Sequence, residues 1–101
     1  MRFLLAIPFT IALAACAADL TDEGMSVRQI SLASADDCRF LGPISASESM
    51  GLDEAMDMMS AYNKVRNLVA QMGGNAFIVS STHTSTSSTV VQADAYACPR
   101  M

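Results

Sequence analysis

The chain has little of what several functions require. It carries one histidine, His83, and its three cysteines include no Cys-x-x-Cys pair. The usual setting for a redox-active thiol, a low-pKa cysteine beside a second one or at a helix start, is therefore missing. Lys and Arg number 6 against 10 Asp and Glu, a formal net charge of -4. Without a basic patch there is nothing to neutralise phosphates, which argues against nucleic acid as a partner. An acidic domain is also repelled by anionic lipid headgroups. No apolar run approaches the roughly 20 residues a spanning helix needs. With 101 residues in all, there is room for one domain.

What is present begins at the N-terminus. Arg2 precedes an almost unbroken apolar run from Phe3 through Ala15 that ends in small residues. One positive residue, a short apolar stretch and a small-residue end are the layout of a secretory signal peptide. Residues 1–15 are accordingly expected to be removed. The end of the run, Leu13-Ala14-Ala15-Cys16, resembles the lipobox of bacterial lipoproteins. That resemblance implies cleavage before Cys16, a diacylglyceryl group on its thiol and a fatty acyl chain such as palmitate on its new amino group. One chain holds a protein only marginally, whereas two or more anchor it stably at about 0.8 kcal/mol per buried methylene. The plainer alternative is a secreted protein cut after Ala15 or Ala17.

Assigning Cys16 to lipid turns an odd cysteine count into an even one. Cys38 and Cys98 remain as a pair for an oxidising compartment. Closing the loop between them stabilises a folded domain by roughly 4 kcal/mol on the chain-entropy argument, a large share for so small a core.

Residues 16–24 read as the lipidated cysteine and a flexible, small and acidic tether, and residues 25–101 as the domain. Residues 25–32 form a weak first strand on Val27, Ile30 and Leu32. A turn at Ser34-Ala35-Asp36-Asp37 leads to a second strand over residues 38–44, an edge or bent strand because Pro43 cannot donate to a ladder. Residues 45–51 read as a loop. From Asp53 to Met72, apolar residues at Ala55, Met58, Met59, Tyr62, Val65, Val69 and Met72 make a helical stripe. Asp53, Glu54 and Asp57 suit the helix start, and Lys64 and Arg66 its later half. Gly73-Gly74 stops it, Gly73 being free to turn left-handed. A third strand over residues 76–80, a polar hairpin loop over residues 81–88 and a last strand over residues 89–98 follow. The fold class is α+β: a small antiparallel sheet of about four strands, order β-β-α-β-β, with one helix on one face. Such a sheet sets Cys38 beside Cys98, so the disulfide and the strand order support each other.

The residues open to a chemical reading mostly have plainer ones. Methionine thioethers can bind soft metals, but at helical spacing they fill cores. His83 lies in a Ser/Thr-rich stretch with no positioned acid beside it in sequence. Asp36-Asp37 falls short of an oxygen cage for a cation. Gly73-Gly74-Asn75 ends a helix, whereas anion sites open one. No catalytic residue, metal ligand or cofactor is expected.

Four segments occur in order: Met25-Ser26-Val27-Arg28; Cys38-Arg39-Phe40-Leu41-Gly42; Val65-Arg66-Asn67-Leu68-Val69-Ala70-Gln71-Met72-Gly73-Gly74-Asn75; and Ala95-Tyr96-Ala97-Cys98-Pro99. The set resembles the YjeI-like family of small bacterial lipoproteins, a domain of unknown function that is distantly similar to the RcsF-type lipoproteins reporting envelope damage. The chain departs from the RcsF type in having one cysteine pair instead of two and a much shorter tether, and has Asp94-Ala95 where YjeI-like relatives place a glycine. The resemblance implies a membrane-anchored envelope lipoprotein that is a non-enzymatic interaction module, held to the bilayer through acylated Cys16 and meeting an envelope protein. A stress sensor of RcsF type and a periplasmic hydrolase using His83 are the alternatives. Ala17 and Ala18 lack the aspartate that retains lipoproteins at the inner membrane, so the expected site is the periplasmic face of the outer membrane. Among the matched residues, Arg66 or Asn67 is expected to brace a sheet-end or loop carbonyl. Asn75 is expected to hold a turn after Gly73 and Gly74. Tyr96 shares a strand face with Cys98 and is expected to cover the disulfide.

Overall fold

The computed structural model describes residues 20–49, 54–85 and 87–99. Residues 1–15, Cys16 and Asp53 lie outside them. Among the described residues there are four strands and one helix: β1 (Arg28–Gln29), β2 (Arg39–Glu48), α1 (Glu54–Gln71), β3 (Ala76–Thr84) and β4 (Thr89–Ala97), with short 3-10 turns at Gly24–Ser26 and Leu32–Ala35. The α+β class, the element order and the Cys38–Cys98 disulfide agree with the expectation from sequence.

The sheet is mixed, where an all-antiparallel one was expected. Its spatial order is β1-β3-β4-β2. β4 pairs antiparallel with both β2 and β3, while β1 runs parallel to β3 through Arg28↔Ala76 and Gln29↔Phe77. β2 and β3 therefore point the same way with β4 between them, and α1 carries the chain across one face. Two-residue β1 is all that remains of the strand expected over residues 25–32. The 3-10 turns on either side divert the chain, and Leu32 lies 74% exposed.

The first four residues of each expected loop, 45–48 and 81–84, are instead strand. β2 continues through Glu48 and β3 through Thr84, each paired with β4 down to Thr89. Their Ser and Thr side chains suit the solvated face of an antiparallel pair. The connection narrows to residues 85–88, where Ser85 Oγ accepts the Ser88 N–H at 3.2 Å and the Ser85 N–H bonds the Ser88 carbonyl at 2.8 Å. β2 is an edge strand, as Pro43 requires. Lys64 Nζ donates to the Ser47 carbonyl at 2.9 Å from outside the sheet. Pro43, Ser45 and Ser47 alternate together, so the missing proline donor falls on the outward row and costs the ladder nothing.

No glycine or proline interrupts α1. Its buried stripe runs Asp57, Ala61, Val65 and Val69, with Ser60 alongside. This is rotated from the expected stripe: Ala55 is exposed, and Met58, Met59 and Met72 are 38, 59 and 40% exposed. Small Ser60 and Ala61 let the helix approach a sheet face that is itself partly alanine, Ala46, Ala93 and Ala95, so the bulkier methionines turn outward. Phe77, Val65, Val69 and Val91 are the largest fully buried apolar side chains, at roughly 1.5–3 kcal/mol for each removed from water. No basic residue occupies the last turn of α1. Lys64 is held instead by Glu48, Nζ to Oε1 2.8 Å, and Ser60 Oγ donates to the same carboxylate oxygen at 2.9 Å. This clamp fixes the end of β2 to the helix.

The C-terminus of α1 closes as its glycines predict. The Gly73 N–H bonds the Ala70 carbonyl at 3.0 Å and the Gly74 N–H bonds the Val69 carbonyl at 2.9 Å, with Gly73 at φ +84°. These two bonds form a Schellman motif. Gly74 is required for space: a Cβ there would lie 2.7 Å from the Tyr96 carbonyl oxygen and 2.9 Å from Val69 Cγ1.

Candidate functional site

The residues of the matched motifs gather at one end of the sheet, where α1 stops and β4 ends. The Schellman turn aims the chain so that Asn75 arrives beside the last residues of β4. Asn75 is the hub. Its backbone N–H bonds the Tyr96 carbonyl at 3.0 Å, and its carbonyl accepts the Arg28 N–H at 3.1 Å. Its side chain pairs with Cys98 in both directions: Oδ1 accepts the Cys98 N–H at 2.8 Å and Nδ2 donates to the Cys98 carbonyl at 3.0 Å. One residue thus joins the helix end, β1 and the disulfide-bearing end of β4. The Cys38–Cys98 bond, 2.04 Å, then ties that strand end to the start of β2.

Tyr96 sits across from Phe40 on β2 and Ala76 on β3. Its ring meets Phe40 edge-on, with centroids 5.7 Å apart. Because cross-strand partners share a face, Tyr96 packs on the face away from the helix, against Phe40 and over buried Ala76. Phe40 and Tyr96 each lie two residues from a disulfide cysteine, on the strand face that Tyr96 shares with Cys98.

Arg66 and Asn67, one of which was expected to brace a carbonyl, reach an aromatic ring and the chain at Thr21. The Arg66 guanidinium carbon lies 5.7 Å from the centroid of Phe77, a cation–π contact on the inward flank of α1. The Asn67 Oδ1 accepts the Thr21 N–H at 2.9 Å and the Thr21 hydroxyl at 3.1 Å. The Thr21 Oγ1 in turn accepts the Gly24 N–H at 2.9 Å, and the Met25 N–H bonds the Thr21 carbonyl at 3.0 Å. A Cβ on Gly24 would overlap Asn67 Oδ1. Residues 20–24, read from sequence as flexible tether, are therefore packed on α1. The overlooked signal was Thr21-Asp22-Glu23-Gly24, a hydroxyl three residues before an amide it can cap, with acidic residues between. The Glu48–Ser60–Lys64 clamp had no sequence signal, since it joins two elements whose contact depends on the fold.

His83 lies within β3, exposed and opposite Val90, and Asp36 and Asp37 are exposed beyond the second 3-10 turn. Among the described residues, no three His, Cys, Asp or Glu side chains gather to hold a metal ion. No helix among them is long and apolar enough to cross a membrane. Among the described residues, grooves flank α1 on two sides. One of about 400 Å³ runs along the β2 edge past Ser45, Lys64, Asn67 and Gln71. The other, about 450 Å³, is bounded by Gln29 on β1 and by Met58, Met59, Tyr62 and Arg66 on the helix. Thr89 Oγ1 is buried without a hydrogen-bond partner among the described residues.

These features define a class, a small α+β domain with one helix on a mixed four-stranded sheet, closed at one end by a disulfide and an asparagine hub. Within that class the chain belongs to the family described as a domain of unknown function, DUF4156, which matches residues 18–98. No curated protein matches it. Among solved structures, the solution NMR structure of a secreted protein from Salmonella typhimurium LT2 is similar, with a TM-score of 0.56 and 17% identity over 96% of this chain and 91% of that one. At that identity the likeness is one of fold.

Proposed function

We propose that the protein is exported, lipidated on Cys16 and displayed on the periplasmic face of the outer membrane as a non-enzymatic interaction module. The observation that carries this reading is the Cys38–Cys98 disulfide. A structural disulfide suits an oxidising compartment, and pairing these two leaves Cys16 as the unpaired cysteine at the end of a signal-like run. The YjeI-like resemblance supports the same reading. The methionine-flanked groove beside β1 suits the interaction role, because exposed, flexible thioethers adapt to varied apolar partners. Stress reporting of the RcsF type is a narrower form of this function. A hydrolase centred on His83 has no support from an exposed strand position opposite a valine.

Crosslinking in intact cells, followed by mass spectrometry, tests the reading against a Cys16→Ser variant. The wild-type chain is expected to capture an envelope protein above background, and the variant to lose both that product and membrane fractionation. Absence of any envelope product from the wild type would remove the interaction role.

A further inference from the structure

We infer that the surface around Leu20 and Met25 lies against the lipid bilayer, with the Met25 side chain in contact with the interface. This rests on the lipid-anchor reading of Cys16 and gives it an orientation. Its basis is how close in sequence to Cys16 the chain is held to the domain. Thr21 is held to Asn67 through both its N–H and its hydroxyl, and Gly24 is buried against the same side chain. Leu20, half-buried, is the first residue described and adjoins the docked Thr21. From Cys16 to Leu20 a fully extended chain spans about 14 Å, whereas a free tether up to Arg28 would span about 40 Å. A lipid on Cys16 thus keeps the Asn67 side of the helix next to the membrane.

Met25 is the large apolar side chain near the docked Thr21. It is 66% exposed although its backbone is fixed one turn from Thr21. Burying it in the headgroup and acyl boundary would complete what the fold leaves in water. Asp22 and Glu23, both exposed, flank it. Their charge opposes approach to anionic headgroups, so the surface fits a bilayer rich in zwitterionic phospholipid.

The chain contains no tryptophan, so Met25→Trp introduces a single fluorescent reporter. The lipidated full-length product, extracted from membranes and reconstituted into zwitterionic vesicles, is first floated to establish anchoring. Its emission is then compared in vesicles with and without bromine on the acyl chains. The control is His83→Trp, roughly 20 Å along β3 from the register partner of Arg28. Met25→Trp is expected to lose much of its emission to bromine, and His83→Trp little. Adding Asn67→Ala to the reporter chain releases the dock and is expected to weaken the quenching, as is replacing half the lipid by an anionic one. Floated Met25→Trp with equal emission in both vesicle types, or equal quenching at both positions, overturns the orientation while leaving the anchor intact. Failure to float removes the anchor and the orientation together. Emission shielded in native envelopes but not in pure lipid assigns Met25 to a protein partner and overturns the bilayer contact.

Discussion

Replacing Asn75 with alanine separates the asparagine hub from the disulfide it supports. The substitution keeps both backbone bonds of residue 75 and removes the two side-chain bonds to Cys98, at 2.8 and 3.0 Å. A neutral hydrogen bond contributes about 1 kcal/mol net, and Cys98 is only half-buried, so water can replace part of what is lost. The expected loss is about 2 kcal/mol, close to a thirtyfold shift toward the unfolded chain. For a domain of this size that lowers Tm by about 10 °C. Asn75→Asp keeps the acceptor for the Cys98 N–H but turns a second oxygen toward the Cys98 carbonyl, so it should be no more stable than the alanine variant. Urea unfolding of the oxidised protein, followed by far-UV circular dichroism, measures both. In a Cys38→Ser, Cys98→Ser background the end of β4 is no longer pinned, and the alanine substitution should cost less than about 1 kcal/mol. A change under about 0.5 kcal/mol in the oxidised protein, or an aspartate variant as stable as wild type, would refute the hub.

Other parts of the fold make separate claims. Removing the disulfide, which closes a separation of 60 residues, should cost about 4 kcal/mol by loop entropy, read as a lower urea midpoint for Cys38→Ser, Cys98→Ser; an unchanged midpoint would show the pair idle. Gly73→Ala should cost about 1 kcal/mol because φ is +84° in open space. Gly74→Ala should cost more, about 2–3 kcal/mol, since its Cβ meets a Tyr96 carbonyl fixed by Asn75. The reverse ranking in thermal melts would contradict the packing. Lys64→Ala should change stability by about 1 kcal/mol or less, because Lys64 is 42% exposed and the Glu48 carboxylate keeps the Ser60 hydroxyl. Combined with Pro43→Val it should uncover the β2 edge and raise self-association, measured by sedimentation; a monomer at all concentrations would count against edge protection.

What could be read from sequence was local. The helix followed from its period and the glycine pair behind it, and its C-terminal turn formed as those glycines dictate. The disulfide followed from cysteine parity, and Pro43 correctly marked an edge. Which face of the helix is buried was misread because hydrophobicity favoured Met58 and Met59 over Ser60 and Ala61. Close approach to an alanine-rich sheet decided it, and that depends on both surfaces at once. The parallel pairing of β1 was equally hidden, because two residues carry no alternation and their place comes from the Asn75 carbonyl. The Ser and Thr tracts of β2 and β3 resembled loops because an open sheet face is polar in the same way a loop is. At the motif end, the residues were legible but their contacts were not. Asn67 and Tyr96 stood out by pattern, while Thr21 and Phe40 became their partners only through the fold.

The most direct test of the account is the intact mass of the protein purified from envelope membranes. The account predicts a chain that begins at Cys16 and carries acyl groups on it, with Cys38 and Cys98 oxidised to each other. A mass beginning at Met1 or at Ala17 or later, an unmodified Cys16, or two free thiols at Cys38 and Cys98 would contradict it.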